Sequence, residues 1–376
     1  MVAMVLQSRM VSVSPTTIFL ILNLTTVSNY ATAVLAKGQA IVSAKNQAPE
    51  QRKKMPTVFE LAVKNQEYSI PNAQELRKSP LRPVEINYFT NVTPGSSTAK
   101  AYNHTGTYGD SGKIELVYVT HTETLGIPRK IADNSIMQYQ QIFNNLYEQK
   151  WKNLRVRHDT SALAFLFANR NQLAAAVMNP QIASANPGVW NDTNFALEIS
   201  QADKALLMQR IKGFMASRYF TGDLDIVADL QIAQWFEYIQ NQGPGNYANV
   251  AFQTMGINPV VTQDQIDSAY ALGSAFALPK GALSGLVWNE ALNKRGVDGG
   301  DTSSIGMLGT ISDPFGSGAI ADLSMYTQRA DTSASTTSGS TQDIVDQWEL
   351  TLTIGYALPP LATSGDSVVH LIAQGS

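Results

Sequence analysis

Apolar and polar positions change period several times along the chain, and each change marks an element. Val84-Glu85-Ile86-Asn87-Tyr88-Phe89 alternates at period two, as a strand does. A polar tongue rich in Gly, Ser, Thr and Tyr follows from Thr93 to Lys113. Lys113 to Thr120 then returns as a second β run. Two strands around a tip of roughly twenty residues predict a protruding hairpin, and compact domains seldom keep so long a tip without a use for it. From Ala132 to Asn169 there is neither Gly nor Pro. Ile136, Tyr139, Ile142/Phe143, Leu146/Tyr147 and Lys150 recur every three or four residues. That spacing predicts one long helix with Asp133 and Asn134 as N-cap, a break near His158-Asp159 and a resumption through Leu163, Phe165 and Leu166. Polar residues on its other face make it a spine rather than a member of a bundle.

The remaining elements are shorter. Thr57 to Val63 reads as a helix with Pro56 at its first position. Asn179-Pro180 and Asn186-Pro187-Gly188 mark a loop. Residues 203–219 form an amphipathic pattern through Ala205, Leu206, Met208, Ile211, Phe214 and Met215. Leu224 to Ala228 is a buried-strand pattern, and Ile232 to Gln240 is a helix stopped at Gly243-Pro244-Gly245. Val260-Val261 is a strand, and Gly281 to Leu292 is mixed apolar sequence. Leu323 to Thr327 and Trp348 to Tyr356 alternate as paired strands around the Ser/Thr/Gly segment 331–341. No internal repeat is present.

Composition narrows the class. Charged residues make up 15% of the 376 positions, against roughly 25% in an ordinary soluble domain. The polar remainder is largely Asn, Gln, Ser and Thr, which suit surfaces that meet protein. Charge is also uneven. Residues 1–55 hold Arg9, Lys37, Lys45, Arg52, Lys53 and Lys54 against Glu50 alone, a surplus of five, so with a net charge of −3 the rest carries −8. A basic arm on an acidic body suggests contact with nucleic acid or an acidic neighbour. Ile18 to Leu24 is a short apolar run followed by Ala31-Thr32-Ala33 and Ala36, which has the outline of a secretory signal. Asn23 interrupts it, Arg9 stands far upstream, and it is too short to span a membrane. An extended arm held by neighbouring subunits fits it better.

Catalytic chemistry finds no foothold. There is no cysteine, which excludes disulfides, thiol nucleophiles and Cys-based zinc sites. His104, His121, His158 and His370 form no metal-ligand spacing. Gly109-Asp110-Ser111-Gly112 copies the tetrapeptide around a serine-protease nucleophile. It lies in the polar tongue without a partner histidine segment, and turn residues explain it. Gly281-Ala282-Leu283-Ser284-Gly285 has the wrong spacing for a nucleophile elbow, and no phosphate-cradling glycine loop occurs. Asp223 and Asp225 share a strand face, which reads as a solvated strand end. His158 and Asp159 are adjacent and point to different faces, with His158 a hydrogen-bonded structural residue. The sequons at Asn23, Asn91, Asn103 and Asn191 are what chance gives in so Asn-rich a chain. No catalytic, cofactor-binding or metal residue is therefore assigned, and neither an enzyme nor a cofactor is expected.

The order of elements resembles the major capsid proteins of tailed double-stranded DNA bacteriophages, the Hong Kong 97-type fold shared with encapsulin shells and herpesvirus capsid floors. A basic arm precedes a strand–tongue–strand hairpin and a long helix, and an α+β insert precedes a β return. The stretches Phe276 to Ala282 and Asp346 to Leu350 are similar to stretches late in such proteins. The resemblance implies an α+β fold with an N-terminal arm (1–55) and a peripheral domain (56–199) that holds an extended loop (84–120) and a spine helix (132–169). It implies an axial domain (200–310) and a return to the peripheral domain (311–376). It implies a structural protein that self-assembles through hexamers and pentamers into an icosahedral shell in the virion, built in the host cytoplasm. Its partners would be copies of itself, portal, scaffold or decoration proteins, and packaged double-stranded DNA through non-specific contacts, with no membrane. Some family members cross-link a loop lysine to a neighbour's asparagine. Lys100 and Lys113 lie in that region, but no glutamate can be assigned as catalyst, so no cross-link is expected. An encapsulin-like cargo shell and a secreted bacterial surface or binding protein are the alternative readings.

Overall fold

The computed structural model describes residues 54–66, 70, 72–77, 85–89, 111–116, 118–129, 136–173, 189–217, 220–241, 256–290, 307–331, 342–359 and 367–375. The basic arm up to Lys53, the hairpin tip, the Asp133/Asn134 cap and residues 332–341 lie outside the described residues.

A 16-residue strand, β12 (Gln342–Ala357), is the hub of one sheet. Along one side it pairs antiparallel with β3 (Tyr118–Pro128). Along the other it pairs first with β11 (Ile320–Asp331) and then, past Thr351, with β9 (Ser284–Trp288). Strand β10 (Met307–Ser312) closes the β11 edge. The alternation read from Trp348 onward is the reason for this burial. Trp348, Leu350, Leu352 and Ile354 are fully buried, while Gln347, Glu349 and Thr351 between them are partly exposed. The 331–341 segment indeed joins a β11–β12 antiparallel pair.

Against the buried face lies the predicted spine, α3 (Ile136–Ala168), following α1 (Thr57–Lys64) and the one-turn α2 (Ala73–Leu76). It runs without interruption for 33 residues, so the expected break at His158-Asp159 is absent. Both residues are fully buried and hydrogen-bonded to other elements, which offsets their modest helix propensity. The stripe Tyr139, Phe143, Tyr147, Trp151, Leu154, Ala162 and Leu166 packs on the sheet, with Phe143 and Trp348 ring centroids 4.7 Å apart. Each such aromatic contributes about 1.5–3 kcal/mol of burial. A second stripe, Gln140, Asn144, Glu148, Lys152, Arg155 and Asp159, is polar and also at least nine-tenths buried. That doubly buried surface is why the apolar periodicity of so long a helix is modest.

A six-stranded mixed sheet forms the other half. Its order is β4 (Val189–Asn191), β5 (Ala196–Ser200), β13 (Val369–Gln374), β8 (Ser274–Pro279), β6 (Leu224–Ala228) and β7 (Ile257–Val261). A 3-10 helix at Gln201–Leu206 leads into α4 (Leu207–Ser217), so the helix expected over 203–219 begins in tighter form. Helix α5 (Leu230–Asn241) crosses over between the parallel strands β6 and β7. Asp229 caps it: its Oδ1 accepts from the backbone of Gln231 and Ile232, and its Oδ2 from that of Ser274. The sheet separates two cores. Ala275 and Ala277 of β8 face α4 and α5, while Phe276 and Leu278 face the spine side. Its strands come from both sides of the 200–310 span, and β9 from within that span joins β12 instead.

Candidate assembly surfaces and buried polar sites

Strand β1 (Glu85–Phe89) pairs antiparallel with β2 (Ser111–Glu115) in a two-stranded sheet, in register from Glu85 opposite Glu115 to Phe89 opposite Ser111. The second run breaks after Glu115, and Leu116 dives into a small cluster with Ile70, Ala73, Leu286 and Ala357, against which Ile86 and Tyr118 pack. Beyond that base the ribbon is open. Glu85, Asn87, Ser111, Lys113 and Glu115 are exposed, and Lys113 reaches the Glu85 carboxylate at 2.7 Å on the surface. Ser111 and Gly112 of the protease-like tetrapeptide are strand residues opposite Phe89 and Tyr88 rather than turn residues. A lone two-stranded ribbon is marginal in water and needs further burial to hold its form.

The five-stranded sheet turns its other face outward. Thr120, Thr122, Thr124 and Gly126 of β3 lie exposed beside the half-buried Thr351, Glu349 and Gln347 and the buried Thr353 of β12, with Ser324 and Tyr326 of β11 beyond. Thr120 and Thr353 hydroxyls are 3.0 Å apart, and those of Thr122 and Thr351 3.2 Å. Tyr326 is 55% exposed. Among these ten positions Glu349 is the one charge, whereas a free surface usually carries many. This part of the sheet surface is therefore polar and poor in charge.

The chemically distinctive side chains lie inside. His158 shares a hydrogen bond with the Leu352 carbonyl at 3.0 Å, and Tyr356 donates its hydroxyl to the His158 carbonyl at 2.8 Å. Burial, with His121 edge-on at 4.6 Å, pushes the His158 imidazole down to about 3. His121 bonds to Ser161 at 2.9 Å and is also lowered, chiefly by burial and then by Arg157. His370 lies among Phe276, Phe167 and Tyr270, and burial pushes it down to about 4. These are neutral structural histidines. Asp159 faces away from the sheet and accepts from the backbone N–H groups of Val58 and Phe59 at 2.8 and 2.9 Å. The spine therefore caps α1, with Pro56 in the N-cap position rather than inside the helix.

The paired aspartates separate. Asp223 is exposed and 3.4 Å from Lys280. Asp225 is buried, accepting from Gly281 N and Asn258 Nδ2, both at 2.9 Å, so the solvated strand end expected for both holds for Asp223 alone. The Asn191 side chain is bound within its own turn to Thr193, Asn194 and Glu198. Lys100, His104, Gly109 and Asp110 lie outside the described residues.

One buried cluster escaped sequence reasoning. Asp346 is fully buried and receives two guanidinium nitrogens of Arg129 at 2.9–3.2 Å, the Tyr139 hydroxyl at 3.0 Å and the Thr327 hydroxyl at 2.8 Å. Trp348 Nε1 donates to the same Tyr139 hydroxyl at 3.0 Å. The legible signal is parity: Asp346 occupies an inward position of an otherwise apolar alternation. Its geometry ties the spine helix to β3, β11 and β12. Among the described residues, no group of three or more His, Asp or Glu is placed to hold a metal, and no helix is long and apolar enough to cross a membrane.

Solved structures to which this chain is similar include chains from bacteriophages, and capsids are among them. A chain from Mycobacterium phage Che8 is 12% identical, with 87% of this chain and 94% of that one covered and a TM-score of 0.46. The capsid of Myoviridae phage XM1 gives 10% identity, 88% and 95% coverage and 0.46. The capsid of cyanophage P-SCSP1u gives 12%, 78% and 84%, and 0.38. No protein-family model matches the chain, and no curated protein sequence matches it.

Proposed function

We propose that this chain is the major subunit of a self-assembling icosahedral shell around phage double-stranded DNA, with a Hong Kong 97-like arrangement. In that reading residues 1–55 are the arm, 84–120 the extended loop and 132–169 the spine. The axial part is centred on 200–310, completed by β4, β5 and β13. The observation that carries the reading is the β1–β2 ribbon, which rejoins the body at Leu116 and whose described side chains, Ile86 at its base apart, are exposed or half-buried outside the cores. Such a ribbon gains its burial by lying on another copy, and the charge-poor face of β3, β12 and β11 is a surface of the kind that meets protein. Hexamers and pentamers of the chain, with portal, scaffold or decoration proteins, would form the virion shell. An acidic body suits a container whose contents must slide during packaging. The experiment replaces residues 93–110 by a short Gly/Ser turn. Because β1 and β2 are kept, the subunit folds with unchanged circular dichroism but no longer forms particles in sedimentation. Loss of the fold, or normal particles, contradicts the proposal.

A further inference from the structure

The basic arm meets the body at one crowded junction. Lys54, its last basic residue, pairs with the carboxylate of Asp264 in the loop after β7 and lies 3.7 Å from Asp159 Oδ2 on the spine. The next residues are tied to the same place. Met55 N donates to Gln263 Oε1 at 3.0 Å, and Thr57 Oγ1 donates to the Val261 carbonyl at 2.9 Å. Thr160 Oγ1 holds Asp264 Oδ2 from the spine at 3.4 Å. One lysine therefore spans two carboxylates from elements about 100 residues apart in sequence. We propose that Lys54, Asp159 and Asp264 form an acid-opened clasp that anchors the chain just ahead of α1 to the spine and to the loop after β7.

The surroundings make acid release local. Asp159 is fully buried, and its carboxyl is raised by that burial against the opposing pull of the Phe59 N–H and the Lys54 charge. Lys54 is lowered, also chiefly by burial. Acid acts on the carboxyl of this pair, which takes up its proton at higher pH than an exposed one, while Lys54 stays charged as pH falls. The sign follows. A carboxyl raised in the folded state binds its proton more tightly folded than unfolded, so protonating Asp159 removes one of the two negative charges facing Lys54 without driving the body to unfold, and leaves the lysine on Asp264 alone. The other charged groups at the junction are already engaged. Arg155 pairs with Glu60 of α1 and with Asp313 at 3.4 Å, Lys152 with Glu148 at 3.2 Å, and His158 stays neutral under Leu352. Among the described residues they leave Asp159 and Asp264 as the two carboxylates holding Lys54. A cavity of about 190 Å³ lined by Lys54, Met55, Pro56, Glu60, Lys152, Arg155 and Phe315 gives the freed lysine room to move.

Hydrogen exchange of the Met55 and Thr57 amides in the full chain tests the clasp at about pH 7.5 and about pH 4.5, each rate referred to a free peptide at the same pH. Wild-type protection falls at least about tenfold at the lower pH while β12 and α3 stay protected. Asp159→Asn keeps an oxygen for the Val58 and Phe59 amides and removes only the charge. It and Lys54→Met show the low protection at both values, with residues 58–64 still protected. Equal wild-type protection at both pH values, or wild-type protection in Lys54→Met, overturns the clasp.

Discussion

Removing the Asp346 carboxylate perturbs four elements at once, and the structure sets the size of the effect. In Asp346→Ala the Arg129 guanidinium, 35% exposed, recovers water, but the Tyr139 hydroxyl and Thr327 hydroxyl lose their buried acceptor. Breaking a buried pair from one side costs about 3–5 kcal/mol, and the exposure of Arg129 places this case near the lower end, about 3 kcal/mol. Tyr139→Phe strands the buried Trp348 indole N–H and costs about 1–3 kcal/mol. Because the Tyr139 hydroxyl donates to Asp346 and accepts from Trp348, the two losses share partners, so the double variant costs less than their sum. Urea unfolding of the unassembled subunit, followed by tryptophan fluorescence, reads all three values. A loss below about 1 kcal/mol for Asp346→Ala, or strict additivity in the double variant, refutes the network as described.

Further predictions concern the histidines and the glycines. The depressed His158 and His370 each contribute stability that is whole above about pH 6.5 and is lost as pH falls toward about 3 and about 4 respectively. The stability of His370→Leu, measured as urea midpoint against pH, therefore declines less than that of wild type between about pH 6 and about pH 4, and parallel curves count against this. Gly273 has φ +113, and a Cβ there would sit 2.7 Å from Gln231 Cβ, so Gly273→Ala destabilises by more than about 1 kcal/mol. Gly213 in α4 has open space at that position, so Gly213→Ala raises stability by about 0.5–1 kcal/mol. Thermal unfolding of the two variants gives opposite signs; equal signs contradict the assignment.

Period-two and period-four patterns carried the long elements because those elements bury one clean face. Alternation in β12 and the three- and four-residue spacing in α3 are direct consequences of the sheet lying under the spine. Where both faces or two stripes are buried, the pattern fades. Gln140, Asn144 and Glu148 belong to the polar face of the spine yet lie inside, and β6 shows no alternation because all five of its residues are buried. Long-range pairing was the least legible. Nothing local in Val369 to Gln374 says that it runs parallel to Ala196 to Ser200, since that contact is set by the packing of both against the same core. Buried carboxylates were half visible. Asp346 broke the parity of its strand, whereas Asp159 takes its role from a helix 100 residues away.

Electron microscopy of the purified chain tests the central claim most directly. The account predicts closed particles of uniform size, or their five- and six-membered capsomers, at concentrations where the ribbon finds a neighbour. A protein that stays monomeric and monodisperse as its concentration is raised, with the ribbon intact, would contradict it.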